Sequence, residues 1–531
     1  MLGRMQDWPL RTTRLLDHAE KWLSHREIVT CALDGTITRS NWGALAQDSR
    51  RLARVLEKLG IRPGDRVATL ARNHYRHLLS WFGTMGMGGV IHTINWRLFD
   101  EQIAYIVNHA EDRVLLYDVA SADIVERIRP VLSSVEHFIC YEEGFDAMVA
   151  GESDDYRWVG ENERDPAMLC YTSGTTGNPK GVLYEHRSTV LHAITMNQPE
   201  AFNLSQRSTA LPFIPLFHAA GWGVPFGCAA VGARLVLSAT TDVPTMHRVI
   251  VDENVTHAAG VPTIWNALLQ HIDATGGSFG KLRQVNVGGS AAPPAMIGRF
   301  LDMGIDFSHM WGMTEISPIG SACIRPEGWE EMGREEKIDH LRCQGQALFG
   351  AEIRIVDEAG ATLPHDGKTS GYLQIRGPWV VHTYFKAEKP AVDAEGWFDT
   401  GDIAFIRPDG RIQLTDRAKD VIKSGGEWIS SVDLENHAMG CAGVAEAAAI
   451  GLPHPRWDER PLLLVVRKPG ADVTAEAIQD HLARHVARWW LPEDIVFVDE
   501  LPHTGTGKLH KTVLRDQFRD YVFRSLRAAA D

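Results

Sequence analysis

Apolar residues in RSNWGALAQDSRRLARVLEKLG fall at helical spacing and stop at Gly60, which predicts an amphipathic helix. RPGDRVATLA then reads as a turn into a short strand, and HLLSWFGTMGMGG as another helix. EQIAYIVNHAEDRVLLYD gives a helix followed by a strand. VTHAAGVPTIWNALLQHI gives a strand, a proline-containing turn and a helix. Helices alternating with short apolar runs predict an α/β protein with largely parallel sheets.

The texture changes near residue 345. AEIRIVDEAGATLP, SGYLQIRGP and GRIQLTDR read as strands joined by polar turns. After Asp420 the chain returns to helix and strand alternation, through SSVDLENHAMG, VAEAAAIGLP, PLLLVVRKPG and TAEAIQDHLARHVARWW. The expected division is a large N-terminal domain, 1–417, whose stretch from about 345 to 417 is a β subdomain. A smaller α+β C-terminal domain, 418–531, follows and is large enough to fold on its own.

Between Thr209 and Ala233 there is no Asp, Glu, Lys or Arg, a length that could cross a bilayer. Pro212, Pro215 and Pro225 interrupt it together with four glycines and His218. Prolines would break a lipid-exposed helix but suit loops lining a buried pocket. The segment is therefore expected to be pocket wall, with no membrane span. The N-terminal MLGRMQDWPLRTTRLLDHAEKW has charges at regular intervals and no apolar core, so it does not read as a signal peptide.

The 531 residues carry a formal charge of −14, which argues against an extended nucleic-acid surface while leaving room for a local anion site. The seven cysteines are scattered, with no C-x-x-C pair. Reduced thiols in a cytoplasmic protein are the expectation.

The chemistry concentrates in YTSGTTGNPKGV, Tyr171 to Val182. An apolar strand, AMLCYTS, precedes it. A glycine-rich turn after a strand exposes successive backbone N–H groups. The hydroxyls of Thr172, Ser173, Thr175 and Thr176 around Gly174 extend that donor surface, and Lys180 adds positive charge. The combination suits an anion with several oxygens, such as a triphosphate. It is not the G-x-x-x-x-G-K-[ST] pattern, because Pro179 stands where glycine is needed and Gly181 where a hydroxyl is needed.

This stretch resembles the phosphate-loop signature of the adenylate-forming enzymes, which include acyl-CoA synthetases, luciferase and peptide-synthetase adenylation domains. Four further segments match that family in order: WGMTE (Trp311–Glu315), WFDTGD (Trp397–Asp402), DRAKDVIKSGGEWIS (Asp416–Ser430) and HTGTGKLHK (His503–Lys511). The resemblance implies an acyl-CoA synthetase fold and two half-reactions. In the first, a carboxylate attacks the α-phosphate of ATP to give an acyl-adenylate and pyrophosphate. In the second, the thiol of coenzyme A displaces AMP.

By the same resemblance, Thr172, Ser173, Gly174, Thr175, Thr176 and Lys180 would hold the β- and γ-phosphates. Thr314 would meet the α-phosphate, and Glu315 would bind Mg2+. Trp311, where the family usually has tyrosine, would stack on adenine beside Gly312 and Met313. Asp402 would accept both ribose hydroxyls, with Arg417 nearby. Gly288, Gly289, Ser290 and Ala291 would form the adenine-side and acyl-side wall. Lys508 would bridge carboxylate and α-phosphate during adenylation. The C-terminal domain would turn about Lys419, bringing Ser424, Gly425 and Gly426 to the pantetheine tunnel.

PLFHAAGWGVPFG (Pro215–Gly227) most resembles bacterial medium- and long-chain fatty acyl-CoA synthetases. It implies His218 near the acyl entrance and Trp222 as the gate of the acyl tunnel. Short-chain acids, thioether acids such as 3-methylmercaptopropionate, and aryl acids are the alternative substrates. An acyl-AMP ligase loading a carrier protein and a non-catalytic acyl-adenylate sensor are weaker readings; a sensor would be expected to lack Lys508 or Glu315, and both are present. The resemblance also admits a homodimer, for which no residue pattern speaks.

Overall fold

The computed structural model describes residues 3–172, 178–425, 427–503 and 509–527. Among them, the strands form four sheets. One runs, edge to edge, through His137–Cys140, Asp112–Tyr117, Arg66–Leu70, Val90–Thr93, Pro166–Tyr171 and Gly181–Glu185. Its strands are parallel except the last, which turns back antiparallel on Pro166–Tyr171. Tyr171 pairs with Gly181, so the segment joining these two strands leaves from Thr172 and returns at Lys180, at the edge of a parallel sheet. Buried helices such as Tyr75–Gly86 cover these strands, which accounts for their continuous apolar runs.

The nine-stranded sheet has a parallel middle built from Asp306–Gly312, Gln284–Val287, His257–Gly260, Thr209–Pro212, Arg234–Ser238 and Glu27–Cys31. In register, Val287 lies beside both Gly260 and His309, and Ala259 beside Pro212. The carboxyl ends of these strands therefore open at one edge, where α/β sheets bind their ligands. Strands Glu352–Val356, Gly371–Arg376, Phe398–Ile406 and Ile412–Arg417 make an antiparallel four-stranded sheet. The last sheet, within residues 422–497, carries helices Ser431–Met439 and Ala475–Leu482 against its own apolar core.

Several expected elements shift. The helix expected from Arg39 starts at Trp42, because Ile37–Asn41 pairs as a strand with Glu27–Cys31. Asn41 then caps the helix, its side chain accepting from the Ala44 N–H at 2.8 Å. TAEAIQDHLARHVARWW is α-helical only over Ala475–Leu482, with a short 3-10 turn at Arg488–Trp490. Phe398–Ile406 is a strand hidden in the WFDTGD motif. The apolar stretch from Thr209 contributes one buried strand, a turn and the helix Val224–Val231. Among the described residues no helix is long and apolar enough to cross a membrane.

Candidate active site

The phosphate-loop stem is described at both ends. Thr172 N–H donates to the Lys180 carbonyl at 2.9 Å, and Lys180 N–H reaches the Thr172 hydroxyl at 3.3 Å. This closes the neck of the hairpin turn and leaves the Lys180 ammonium exposed. Beyond it, a cavity of about 410 Å³ is lined by Lys180, Tyr384, Lys386, Lys389 and His109. Ser173, Gly174, Thr175, Thr176, Gly426 and Lys508 lie outside the described residues.

The strand Asp306–Gly312 delivers the next group. An added Cβ at Gly312 would fall 1.9 Å from the Pro318 carbonyl oxygen, so only glycine allows this turn. Met313 N–H donates to that same oxygen at 2.8 Å. The turn points Thr314 and Glu315 off the sheet edge. Tyr184, on the strand after the phosphate loop, donates its hydroxyl to the Thr314 carbonyl at 2.6 Å. The phosphate-loop stem and the Thr314 turn are therefore joined directly.

Glu315 is buried, and Tyr384 donates to its Oε1 at 2.9 Å. Burial pushes the Glu315 carboxyl above its usual range, opposed by the Tyr384 hydrogen bond, its own backbone and, more weakly, Arg417 and Lys180. A carboxylate placed this way fits a hard divalent cation, which would offset the burial and take its other ligands from phosphate oxygens and water. Among the described residues no group of three or more His, Cys, Asp or Glu side chains could hold a metal. Among the described residues Glu315 therefore stands outside any such group.

Asp402 lies on strand Phe398–Ile406, directly opposite Arg417. It is 4 % exposed. Its Oδ2 accepts the Trp311 indole N–H at 2.9 Å, and its Oδ1 lies 3.0 Å from Arg417 Nε. An ionised carboxylate has about four lone-pair positions, so both oxygens keep capacity for a further donor each. The Trp311 ring packs against the bare backbone of Gly320, where a Cβ would come within 2.9 Å of Cζ3.

The segment around Trp222, expected on the acyl side, is unusual in its backbone. Ala219, Ala220, Gly221, Trp222 and Gly223 all have positive φ, from 41° to 74°. For a bulky residue such as tryptophan this is an outlier that packing must hold in place. The turn aims the Trp222 ring at Gly288 and Gly289, where an added Cβ would lie 3.1 Å and 4.0 Å from ring atoms. His218 is half-buried at the start of this turn, Ser290 is exposed and Ala291 half-buried.

The structure therefore brings Lys180, Thr314 and Glu315 into one contact chain, Trp311, Asp402 and Arg417 into a second, and Trp222 with Gly288 and Gly289 into a third. Ser424 and Gly425 are not joined to these groups: Ser424 accepts from Arg460 at 3.2 Å and Gly425 N–H donates to the Trp457 carbonyl at 2.8 Å. Asp416 crosses between the two parts of the chain, accepting from Ser431 N–H at 2.8 Å and from the Ser431 hydroxyl. Lys419 follows it, exposed. Sequence reasoning missed Tyr184 and Tyr384. Tyr184 shares its strand face with Val182, a period-two signal that could have placed it; no spacing marks Tyr384.

Comparison with known proteins decides the family. The profile of the AMP-binding enzyme family matches residues 16–385, and that of the AMP-binding enzyme C-terminal domain matches residues 433–508. The chain belongs to the AMP-binding enzyme family. It is 44% identical over 539 residues to a 3-methylmercaptopropionyl-CoA ligase of Ruegeria lacuscaerulensis, covering 98% of this chain and 99% of that one. It is 42% identical over 540 residues to a medium-chain-fatty-acid–CoA ligase of Ectopseudomonas oleovorans, covering 99% of both. The fold matches the crystal structure of an anthranilate CoA ligase in complex with anthranoyl-AMP with a TM-score of 0.87, at 24% identity over 97% of this chain and 99% of that one. Within the AMP-binding enzyme family the chain is an AMP-forming acid–CoA ligase, with ATP, Mg2+ and coenzyme A as its small-molecule requirements.

Proposed function

We propose that this chain activates an apolar monocarboxylic acid, a medium- or long-chain fatty acid first, and transfers it to coenzyme A. The observation that carries the reading is a pair of buried carboxylates with separate duties. Asp402 is fixed by Trp311 and offered to the ribose, and Glu315 is fixed by Tyr384 and offered to the cation. Thr314, adjacent to Glu315, would contact the α-phosphate between them. Thr172, Ser173, Gly174, Thr175, Thr176 and Lys180 would hold the outer phosphates; Trp311, Gly312 and Met313 would line the adenine side.

The substrate carboxylate attacks the α-phosphorus and the bond to the β-phosphate bridging oxygen breaks, giving acyl-adenylate and pyrophosphate. When bound, Mg2+ would neutralise phosphate charge. Lys508 would compensate the two anions as they meet, a role for a preformed cation aimed at developing charge. The thiol of coenzyme A then attacks the acyl carbon and AMP leaves. We assign residues 1–417 to the adenylating part, with a β subdomain from about 345, and 418–531 to a part that turns about Lys419. That turn would bring Ser424, Gly425 and Gly426 to the pantetheine path.

The Trp222 ring against Gly288 and Gly289 forms an apolar wall with His218 at its edge, which supports an acid without a second charge. A short thioether acid is the second reading, favoured by the relative named a 3-methylmercaptopropionyl-CoA ligase. We place the enzyme in the cytoplasm, in keeping with seven free, buried cysteines, and propose a homodimer on the resemblance alone.

The experiment is a panel of acids from C2 to C18 with thioether and aryl acids, scored by AMP release with and without coenzyme A. Highest kcat/KM for an unbranched C6–C18 acid supports the reading. A maximum at 3-methylmercaptopropionate selects the alternative, and a maximum at an aryl acid rejects both.

A further inference from the structure

The segment Val381–Phe385 grips the two halves of the phosphate site at once. Val381 N–H donates to the Glu315 carbonyl at 2.7 Å, and Phe385 N–H donates to the Gly181 carbonyl at 2.8 Å. Between these two backbone bonds stands Tyr384, half-buried. Its hydroxyl donates to Glu315 Oε1 at 2.9 Å, and the Lys180 ammonium lies 4.9 Å from its ring centroid. One side chain thus touches both a carboxylate suited to a cation and the lysine at the neck of the phosphate loop.

Each contact removes a different freedom. The last torsion of a glutamate is broad, so an unheld Glu315 carboxylate would spin through orientations of similar energy. A donor on Oε1 fixes the plane and leaves the remaining lone pairs for a cation. Lysine has a long flexible stem with considerable rotamer freedom. A ring face beneath the ammonium gives that stem a preferred resting place through cation–π attraction. A phenylalanine would supply the second effect without the first, and an aliphatic residue neither.

We propose that Tyr384 is a positioning residue for the magnesium–triphosphate unit: its hydroxyl orients the Glu315 carboxylate for the cation, and its ring holds Lys180 beside the phosphate loop. The proposal rests on the reading of Glu315 as the carboxylate that binds Mg2+. Tyr384 touches neither nucleotide nor metal in this scheme; it acts through the two side chains it restrains.

The test uses the full-length enzyme without any carboxylic acid, so that no turnover occurs. Calorimetric titration gives the Kd of ATP in EDTA and in saturating Mg2+, and the ratio of the two is the metal coupling. The variants are Tyr384→Phe, Tyr384→Leu and Glu315→Gln, each checked by thermal melting. Removing a partner that orients a metal-binding carboxylate typically costs about 10–100-fold in metal affinity. We expect Tyr384→Phe to lower the coupling about tenfold with metal-free ATP affinity unchanged, and Tyr384→Leu to weaken metal-free ATP binding as well. If Tyr384→Phe keeps the wild-type coupling while Glu315→Gln loses it, the role of Tyr384 is refuted and the reading of Glu315 stands. Equal weakening with and without Mg2+ in Tyr384→Phe marks a merely structural residue and also refutes it. If Glu315→Gln keeps its coupling, the cation is held elsewhere and both ideas fall together.

Discussion

Trp311 and Asp402 are 91 positions apart in the chain, yet the indole N–H of one donates to the carboxylate of the other at 2.9 Å, wholly buried. The bond ties the end of a strand in the nine-stranded sheet to the antiparallel sheet that carries Asp402. It also gives the tryptophan at this position a use that a stacking aromatic alone would not have. A charged acceptor strengthens the bond, and its loss from a buried site is correspondingly costly.

Trp311→Phe keeps the packing against Gly320 but removes the donor. Hydrogen bonds to charged groups are worth about 1.5–3 kcal/mol, so KM for ATP should rise about tenfold or more. Because the bond acts on bound nucleotide before and after the reaction alike, kcat should change little. Steady-state kinetics with ATP varied at saturating acid and coenzyme A checks this; an equal loss in kcat would mean that the bond serves the chemical step.

On the proposed mechanism, Lys508 would serve the first half-reaction only. Removing one well-placed charge-stabilising group typically costs about 10²–10³-fold in rate, and Lys508→Ala should slow acyl-adenylate formation by about that factor. Thioester formation from supplied acyl-adenylate and coenzyme A should persist. Rapid-quench assays of each half-reaction separate the two, and matching losses would remove Lys508 from its assigned place.

The left-handed turn at Ala219–Gly223 makes Trp222 a revealing position. Glycine adopts positive φ without strain, so Trp222→Gly relieves the backbone while it opens the wall facing Gly288 and Gly289. A pocket distinguishes substrates by about 1–3 kcal/mol per methylene. The relative kcat/KM values should therefore shift toward longer or bulkier acids, with KM for ATP unaffected. An unchanged chain-length profile would show that the ring is only a core aromatic.

Four fully buried histidines make stability sensitive to acid. Burial holds His77 and His309 down to about 4, and His186 and His192 to about 3. Unfolded histidine titrates near 6.5, so below that pH the unfolded chain binds protons that the folded chain refuses. The stability these groups contribute is complete above pH ~6.5 and is lost as the pH falls, down to about 4 for His77 and His309 and about 3 for His186 and His192. Calorimetric unfolding near pH 5 in buffers of different ionisation enthalpy should show net proton uptake. His309→Asn, whose amide nitrogen takes the place of the imidazole Nδ1 that faces the Leu341 and Arg342 carbonyls, should flatten the pH dependence of Tm.

The parts of this protein written locally in the chain were the ones legible in sequence. Helix Asp100–Ala110 followed by strand Asp112–Tyr117, and strand His257–Gly260 followed by helix Pro262–Thr275, came from apolar period and turn residues. Strand Phe398–Ile406 was obscured because its register breaks at Ile403–Ala404 and its Gly401 has positive φ. The sheet order was not readable, since crossovers place distant strands side by side. The same holds for the site. Glu315 and Asp402 could be picked out by motif, but the hydroxyls of Tyr184 and Tyr384 that restrain this region are defined only by tertiary contact.

The central claim is that one cleft binds magnesium nucleotide and a carboxylic acid so that the acid becomes an acyl-adenylate. Incubating the purified enzyme with ATP, Mg2+, labelled pyrophosphate and a medium-chain fatty acid, without coenzyme A, measures the reversal of that step directly. The account predicts label entering ATP only when the acid is present, and its loss in Asp402→Ala and Lys508→Ala. Exchange absent with every acid of the panel, or present without any acid, would contradict it.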